Sequence, residues 1–375
     1  MGRWTLADGG CALLGLMTLV SLGISPVPQR TLPAAGMVWA GLLLYLLGAH
    51  WPWMRPRWER LWWGLIAFGG LLCLVAPPAM LHPEHVLFRW LPLWGKLRYL
   101  LRDTFNSNVI AGALVVLLPL GLAKTLTWRR DATVAERFAA LLAGLISLAM
   151  LALLALTWSR GAYLALTIGL LVFGALYRPR VFVPLVLLGL AGIVIAGSIM
   201  GWRQMGQMFA TSFLFGGVGK RQDIWSRALY LIARFPLTGV GLDCFVPVTQ
   251  RLYPLPSWAE GRVYHAHNLF LQLAVDLGLP GLVAYLLVVA SALQRAVMAQ
   301  RLLRRAGQRP AALLAAACVS SLTGLLVHGL LDVALWGNKG AFLPWVVMGL
   351  SMLLAEVAQE DKMASSLSET EPGTS

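Results

Sequence analysis

The chain has 375 residues, of which 58% are hydrophobic and only 12% charged. Water-soluble domains carry about 45–50% apolar and about 25% charged residues, so this composition excludes a soluble enzyme, a secreted disulfide scaffold and a disordered chain. The 30 Lys and Arg against 16 Asp and Glu give a net charge of +14, but the basic residues lie between apolar runs, which points to membrane topology and away from nucleic acid.

A bilayer core needs about 20 apolar residues in a helix. The apolar runs predict ten spans, at residues 10–24, 31–49, 61–77, 105–124, 138–157, 161–177, 181–200, 268–294, 311–331 and 341–357. The first and third are short and read as tilted or partly re-entrant. The expected fold is an all-α polytopic transmembrane bundle of about 10–12 spans, one domain over residues 1–357, with a long, partly helical outer loop at 201–267. Residues 358–375 are polar and read as a disordered cytoplasmic tail. No cleavable signal peptide is evident, so the first span is read as retained. Cys11, Cys73, Cys244 and Cys318 form no CxxC, which indicates neither a zinc site nor a disulfide framework.

Orientation follows from the short basic loops. Arg55, Arg57 and Arg60 fall in one; Lys124, Arg129, Arg130 and Arg137 in a second; Arg178 and Arg180 in a third; Arg295 to Arg309 in a fourth. With ten spans these loops share one face with both termini, the cytoplasmic one. The outer face then holds segments 78–104 and 201–267. The first carries Arg89, Lys96, Arg98 and Arg102; the second carries Arg203, Lys220, Arg221, Arg227, Arg234, Arg251 and Arg262. Two readings stand: solvated loops that translocate regardless of charge, or an anion site just outside the membrane, for which the planar guanidinium fork is suited.

Three outer stretches are candidates for chemistry. In Trp158-Ser159-Arg160-Gly161-Ala162 the arginine either snorkels to headgroups or, among small neighbours, faces a ligand. Lys220-Arg221-Gln222-Asp223-Ile224-Trp225 opens an amphipathic helix. It leads to Pro236-Leu237-Thr238-Gly239-Val240-Gly241-Leu242-Asp243, which reads either as a plain turn or as one whose N–H groups approach an anion. Tyr264-His265-Ala266-His267-Asn268 runs directly into an apolar helix. Two histidines at i, i+2 resemble a metal pair, yet no third ligand has recognisable spacing, so no metal is expected. A neutral histidine at the mouth of a membrane helix reads as a proton acceptor; the alternative is an interfacial ring bonded to backbone. His328 and Asp332, at i, i+4 near the outer end of the ninth span, are read as a functional pair or as interhelical hydrogen bonding, and stay outside the candidate set. His82-Pro83-Glu84-His85 reads as a solvated loop.

His267-Asn268, nine residues, then Gly278-Leu279-Pro280-Gly281 resembles the His-Asn-x9-Gly-x-x-Gly pattern of bacterial O-antigen ligases and their wider superfamily, which includes O-antigen polymerases. The order of the Ser-Arg-Gly-Ala junction, the Arg-x-x-x-Trp helix, the Pro-x-x-Gly-x-Gly turn and the His-Asn helix is similar too, over roughly residues 105–294. Asp276 departs from the pattern, since many members carry Glu there. The resemblance implies a metal-independent, inverting, membrane-embedded C-type glycosyltransferase without a cofactor. It would take a glycan from undecaprenyl pyrophosphate to an acceptor hydroxyl, that of lipid A–core, at the periplasmic face of the inner membrane. The partners implied are that donor, a glycan acceptor and membrane lipids. His267 is then the base, with Arg221 and Arg160 stabilising the leaving pyrophosphate. Asn268 orients the imidazole or the glycan, and His265 positions a sugar or phosphate. Arg227, Arg262 and Asp243 are further substrate-binding candidates. Polymerases of this type often show Arg-x10-Gly in their outer loops; no arginine of either outer segment has glycine at that distance, which favours a ligase. A transporter should show sites at mid-membrane in repeated halves, and no repeat is visible.

Overall fold

Several helices begin where the sequence offers a cap or a proline. Thr5 and Asp8 form a reciprocal capping box ahead of Leu6, and Thr133 and Glu136 do the same ahead of Val134. Pro28, Pro179 and Pro310 occupy first-turn positions, where their missing N–H costs nothing. The computed structural model describes residues 5–80, 106–204, 207, 218–256, 263–333, 335–338 and 340–370. Most of segment 78–104, including His82 to His85, and Arg262 and residues 371–375 lie outside the described residues.

The helices are α1 (Leu6–Ile24), α2 (Pro28–His50), α3 (Trp58–Met80), α4 (Ser107–Thr125), α5 (Val134–Leu156), α6 (Arg160–Tyr177), α7 (Pro179–Met200), α8 (Val218–Arg234), α9 (Phe245–Leu252), α10 (Leu269–Arg305), α11 (Arg309–Gly329) and α12 (Phe342–Thr370). Ten of these are long and apolar enough to cross a membrane, and the chain is an all-α polytopic membrane protein. Each expected span falls on one helix. The first and third are not stunted: they run for 19 and 23 residues. Helix α12 runs on to Thr370, into the stretch read from sequence as a tail. Side chains at residues 356–361 fasten the first turn of that extension: Arg55 contacts Glu356 at 3.7 Å and also pairs with Glu360, while Gln308 Nε2 donates to Asp361 at 2.7 Å.

Helices α4 and α11 form the centre, enclosed by α5, α6, α10 and α12. Small residues let the backbones meet. A Cβ on Gly169 of α6 would stand 2.9 Å from the Ser320 carbonyl of α11. Ser320 Oγ donates to Gly169 O at 2.7 Å and Ser321 Oγ to Val116 O at 2.6 Å, the interhelical bonding that replaces hydrophobic drive inside a membrane. The loops after α4, α6 and α10 come together at one end: Arg304 donates to Leu176 O and Arg309 to Leu126 O, each at 3.1 Å. At the opposite end lie the starts of α4, α6 and α10, the end of α11, and α8 and α9.

Candidate active site

A break in α10 organises this end. Gly278 sits at φ 71°, ψ 177° inside the helix, and Pro280 has no N–H to offer Asp276. The carbonyls so freed are taken by the glycine-rich turn. Val240 N donates to Val275 O at 2.8 Å and Gly241 N to Asp276 O at 3.2 Å, and Leu279 N returns a bond to Pro236 O at 2.7 Å. Gly239, at φ 70°, approaches so closely that a Cβ there would lie 2.6 Å from Gly278 N. The next N–H, of Leu242, goes to Ser21 Oγ at 2.8 Å. The turn's N–H groups therefore dock the outer segment on α10 and are not offered to an anion.

The histidine stretch is held from both sides. Asn268 caps α10, accepting from Phe270 N and Leu271 N at 3.0 Å, and its Nδ2 donates to Leu330 O at 3.0 Å, tying α10 to the end of α11. Behind it runs a buried chain: Ala266 N donates to Gln272 Oε1 (2.8 Å), Gln272 Nε2 to Asp276 Oδ1 (2.8 Å), and Trp336 Nε1 to Asp276 Oδ2 (2.9 Å). His267 is pinned at φ 48°, a conformation rare without glycine and one that tends to mark functional sites.

Asp332 Oδ1 lies 3.6 Å from His267 Nδ1 and 3.8 Å from His265 Nε2. The ring centroids are 4.4 Å apart, and His267 N donates to His265 Nδ1 at 3.2 Å. That bond assigns the tautomer. His265 Nδ1 holds the lone pair, so its N–H is at Nε2, facing Asp332. His267 turns Nδ1 to the same carboxylate, which leaves Nε2 as its basic nitrogen. Burial pushes His265 down to about 4, against the favourable charge of Asp332 and with the like charges of His267 and Arg221 adding to it. For Asp332, burial works upward, but the His267 contact and the charges of His265, His267 and His328 outweigh it and hold the carboxyl below its ordinary range.

The two rings and Asp332 supply three metal-ligand atoms within 4.8 Å of one another, so a third partner for the His-x-His pair exists where spacing did not show one. The tautomer opposes a metal here. Ligation through His265 Nε2 would move its proton to Nδ1, where the His267 N–H already points. The arrangement suits proton transfer.

Two polar cavities meet at Asp332 and Asn108, which line both. One, of 210 Å³, is lined by Arg160, Arg221, His328 and the Ser159-Arg160-Gly161 start of α6. Ser159, the N-cap, makes no side-chain capping bond, so this positive helix end faces the cavity. Burial lowers the Arg221 guanidinium, Asp332 opposes that, and the like charge of Arg160 reinforces it. The other cavity, of 310 Å³, is lined by Asp243, His265, His267, Asp276, Trp336 and Asn338, among others. Cavities of 530 and 740 Å³ elsewhere are walled mainly by leucine and tryptophan.

Of the residues singled out beforehand, Arg160, Arg221, His265, His267 and Asp243 line these cavities, and Asn268 positions the loop. Arg227 does not join them. It stacks over Tyr253 at 4.4 Å and donates to Asp223 O at 2.8 Å and Pro254 O at 3.3 Å, fastening α8 to the following loop. His328 and Asp332, set aside in the sequence reading, stand at the centre. Their i, i+4 spacing at a span end was the available signal.

No curated protein matches the chain. The family model described as O-antigen ligase matches residues 145–286. That stretch holds Arg160, Arg221, His265 and His267 together with the docked turn and the broken start of α10, whereas His328 and Asp332 lie beyond it. Over this segment, which is less than half of the chain, the sequence is similar to the O-antigen ligase family.

Proposed function

We propose that the protein is an O-antigen ligase-like glycosyltransferase, inverting and metal-independent. It moves a glycan from undecaprenyl pyrophosphate to an acceptor hydroxyl, with lipid A–core as the acceptor, at the periplasmic face of the inner membrane. The observation that carries this reading is Asp332, set between two histidine rings and an arginine-lined cavity. The pyrophosphate of the donor occupies the cavity of Arg160, Arg221 and His328, where cations and the start of α6 meet the charge that develops on its oxygens. The acceptor oxygen attacks the anomeric carbon from the opposite side, forming the new C–O bond as the bond to pyrophosphate breaks. Its proton passes to His267 Nε2, and Asp332 stabilises the imidazolium through Nδ1. Undecaprenyl pyrophosphate leaves with the bonding electrons, and the anomeric configuration inverts.

A broken helix also suits a transporter. Here the carbonyls freed by the break are occupied by Val240 and Gly241, so they are not presented to a transported ion.

Donor binding and transfer measured on the same purified variants test the assignment. His267→Gln should bind the lipid-linked donor yet transfer about 10²–10⁴-fold more slowly, the range for a positioned base. Arg221→Ala should lose donor binding, and Arg221→Lys should rescue it only in part, because the fork geometry is gone. Near wild-type transfer by His267→Gln would remove the base assignment. Transfer that stops in EDTA and returns with Mg²⁺ or Mn²⁺ would remove the metal-free one. Orientation is checked by an impermeant maleimide on intact spheroplasts, with cysteine in place of the exposed Leu237; labelling is expected, and protection would reverse the topology.

A further inference from the structure

The two cavities that share Asp332 and Asn108 differ in their charge. His267 lines only the 310 Å³ cavity, and Arg160 and Arg221 line only the 210 Å³ one. On the transferase reading, the hydroxyl that gives its proton to His267 must therefore arrive through the larger cavity. That cavity offers the amides of Asn106, Asn108 and Asn338, the rings of Tyr264 and Trp336, and the carboxyls of Asp243, Asp276 and Asp332. Among the described residues no lysine or arginine lines it.

The carboxyls are not equivalent. Asp276 is buried, with both oxygens accepting from Gln272 and Trp336. Asp332 faces the histidines. Asp243 is exposed within the cavity wall; among the described residues its side chain makes no hydrogen bond or ion pair within 4 Å, and the charge of Arg30 acts on it from a greater distance. Its backbone is held at φ 58° by the docked turn, which fixes where the carboxyl projects.

We propose that the 310 Å³ cavity is the acceptor subsite and that it admits an uncharged sugar while rejecting acidic ones, with Asp243 setting the selectivity. Asp243 accepts a hydroxyl of the acceptor ring, and the aromatic rings offer an apolar surface to its C–H face. A uronate or a sugar phosphate would instead bring a second negative charge against Asp243 and Asp332, in a cavity whose wall carries no lysine or arginine among the described residues, the charges of Arg30 and Arg221 reaching these carboxyls from outside that wall. The proposal rests on the transferase reading for its chemistry, and its test separates the two.

The test uses phenyl hexosides of the gluco, galacto and manno series, each beside its C6 uronate and its 6-phosphate. Transfer from the lipid-linked donor is measured with the full-length protein in detergent, and binding of the same glycosides is followed by saturation-transfer NMR without donor. Wild type should use and bind the neutral member at least about ten-fold better than either acidic partner, as like-charge juxtaposition predicts. Asp243→Asn should narrow that gap to about three-fold while lipid-linked donor binding, which also reports folding, stays unchanged. Equal use of acidic acceptors by wild type, a gap that survives Asp243→Asn, or no glycoside binding at all would overturn the subsite. Selective binding of neutral glycosides with no transfer to any of them would sink the transferase reading and leave the subsite standing.

Discussion

Arginine crowds both ends of the bundle, in different company. At the end with the short loops, Arg55 is paired with Glu356 and Glu360, Arg129 with Asp131, and Arg304 and Arg309 cap the carbonyls of Leu176 and Leu126. Lys124 lies 3.6 Å from Glu59 and 4.7 Å from the centre of the Trp62 ring. These cations close helix ends and join loops; Arg55, Lys124 and Arg129 have a carboxylate partner, and the 500 Å³ cavity that Lys124, Arg129 and Arg309 line also carries Glu59, Asp131 and Glu136. At the other end Arg221 has no ion pair among the described residues and faces a cavity, where Asp332 is shared with two histidines. Positive potential left over at a cavity wall is available to an anionic ligand; potential cancelled within a loop is not. Counting arginines locates loops, while their partners decide which end binds.

The sharpest way to break this contrast is at Asp332. Asp332→Asn keeps the shape but removes the charge that orients both rings and stabilises a protonated His267. Transfer should fall by on the order of 10²–10⁴-fold, and adding His267→Gln should cost little more, because residues acting as one unit are not additive. Multiplying losses in the double variant would mean that Asp332 works independently of His267.

The docking of the turn on α10 gives a stability prediction instead. Gly239→Ala places a Cβ 2.6 Å from Gly278 N at a positive φ. The left-handed conformation alone costs roughly 1–2 kcal/mol, and the overlap adds to it. Thermal unfolding in detergent should show a clear drop in Tm. Gly278→Ala should behave alike, and the pair should be non-additive because both insert into one contact. An unchanged Tm for Gly239→Ala would show that this contact does not hold the outer segment in place.

A smaller effect belongs to pH. Folded His265 is held near 4 against an ordinary 6.5, so between those values the folded protein binds fewer protons than the unfolded chain. Its contribution to stability is complete above about pH 6.5 and is lost as pH falls towards 4. Asp332 is also shifted down, from 3.8, so its own loss begins only below that value. His265→Asn should flatten the Tm profile between pH 6.5 and 4; a profile as steep as wild type would place the sensitive group elsewhere.

Much of this was legible in the residues, for identifiable reasons. Hydropathy over about 20 residues is a one-dimensional signal, so all ten spans fell on helices. The extension of α12 was not legible, because the pairs at its first turn come from Arg55 at the far side of the chain. Both glycine motifs stood out, but their partnership did not: a turn that supplies N–H groups to a broken helix is a tertiary fact. Asp332 was hidden for the same reason, since Asn268 brings the end of α11 to the histidines only in the folded chain. Arg227 was separable from Arg221 in principle. At 3.6 residues per turn the two stand about 120° apart around α8, so one helix face could not present both to a single cavity.

The smallest expected effect comes from the end with the short loops. Arg55 spans the turn after α2 and the polar extension of α12, with its side chain about a third exposed beside Glu356 and Glu360. Pairs at this level of exposure are screened, and holding long side chains in one geometry costs entropy, so each contributes about 0–1 kcal/mol. Arg55→Ala should therefore lower Tm slightly, and less at high salt, while donor binding and transfer stay at wild-type levels. Arg221→Ala should do the reverse, leaving Tm nearly unchanged and removing donor binding, because no ion pair among the described residues depends on it. Comparing the two substitutions in the same detergent tests the contrast directly. If Arg55→Ala impaired donor binding as strongly as Arg221→Ala, the cations at both ends would belong to one function, and the division between loop-closing and ligand-facing arginines would fall.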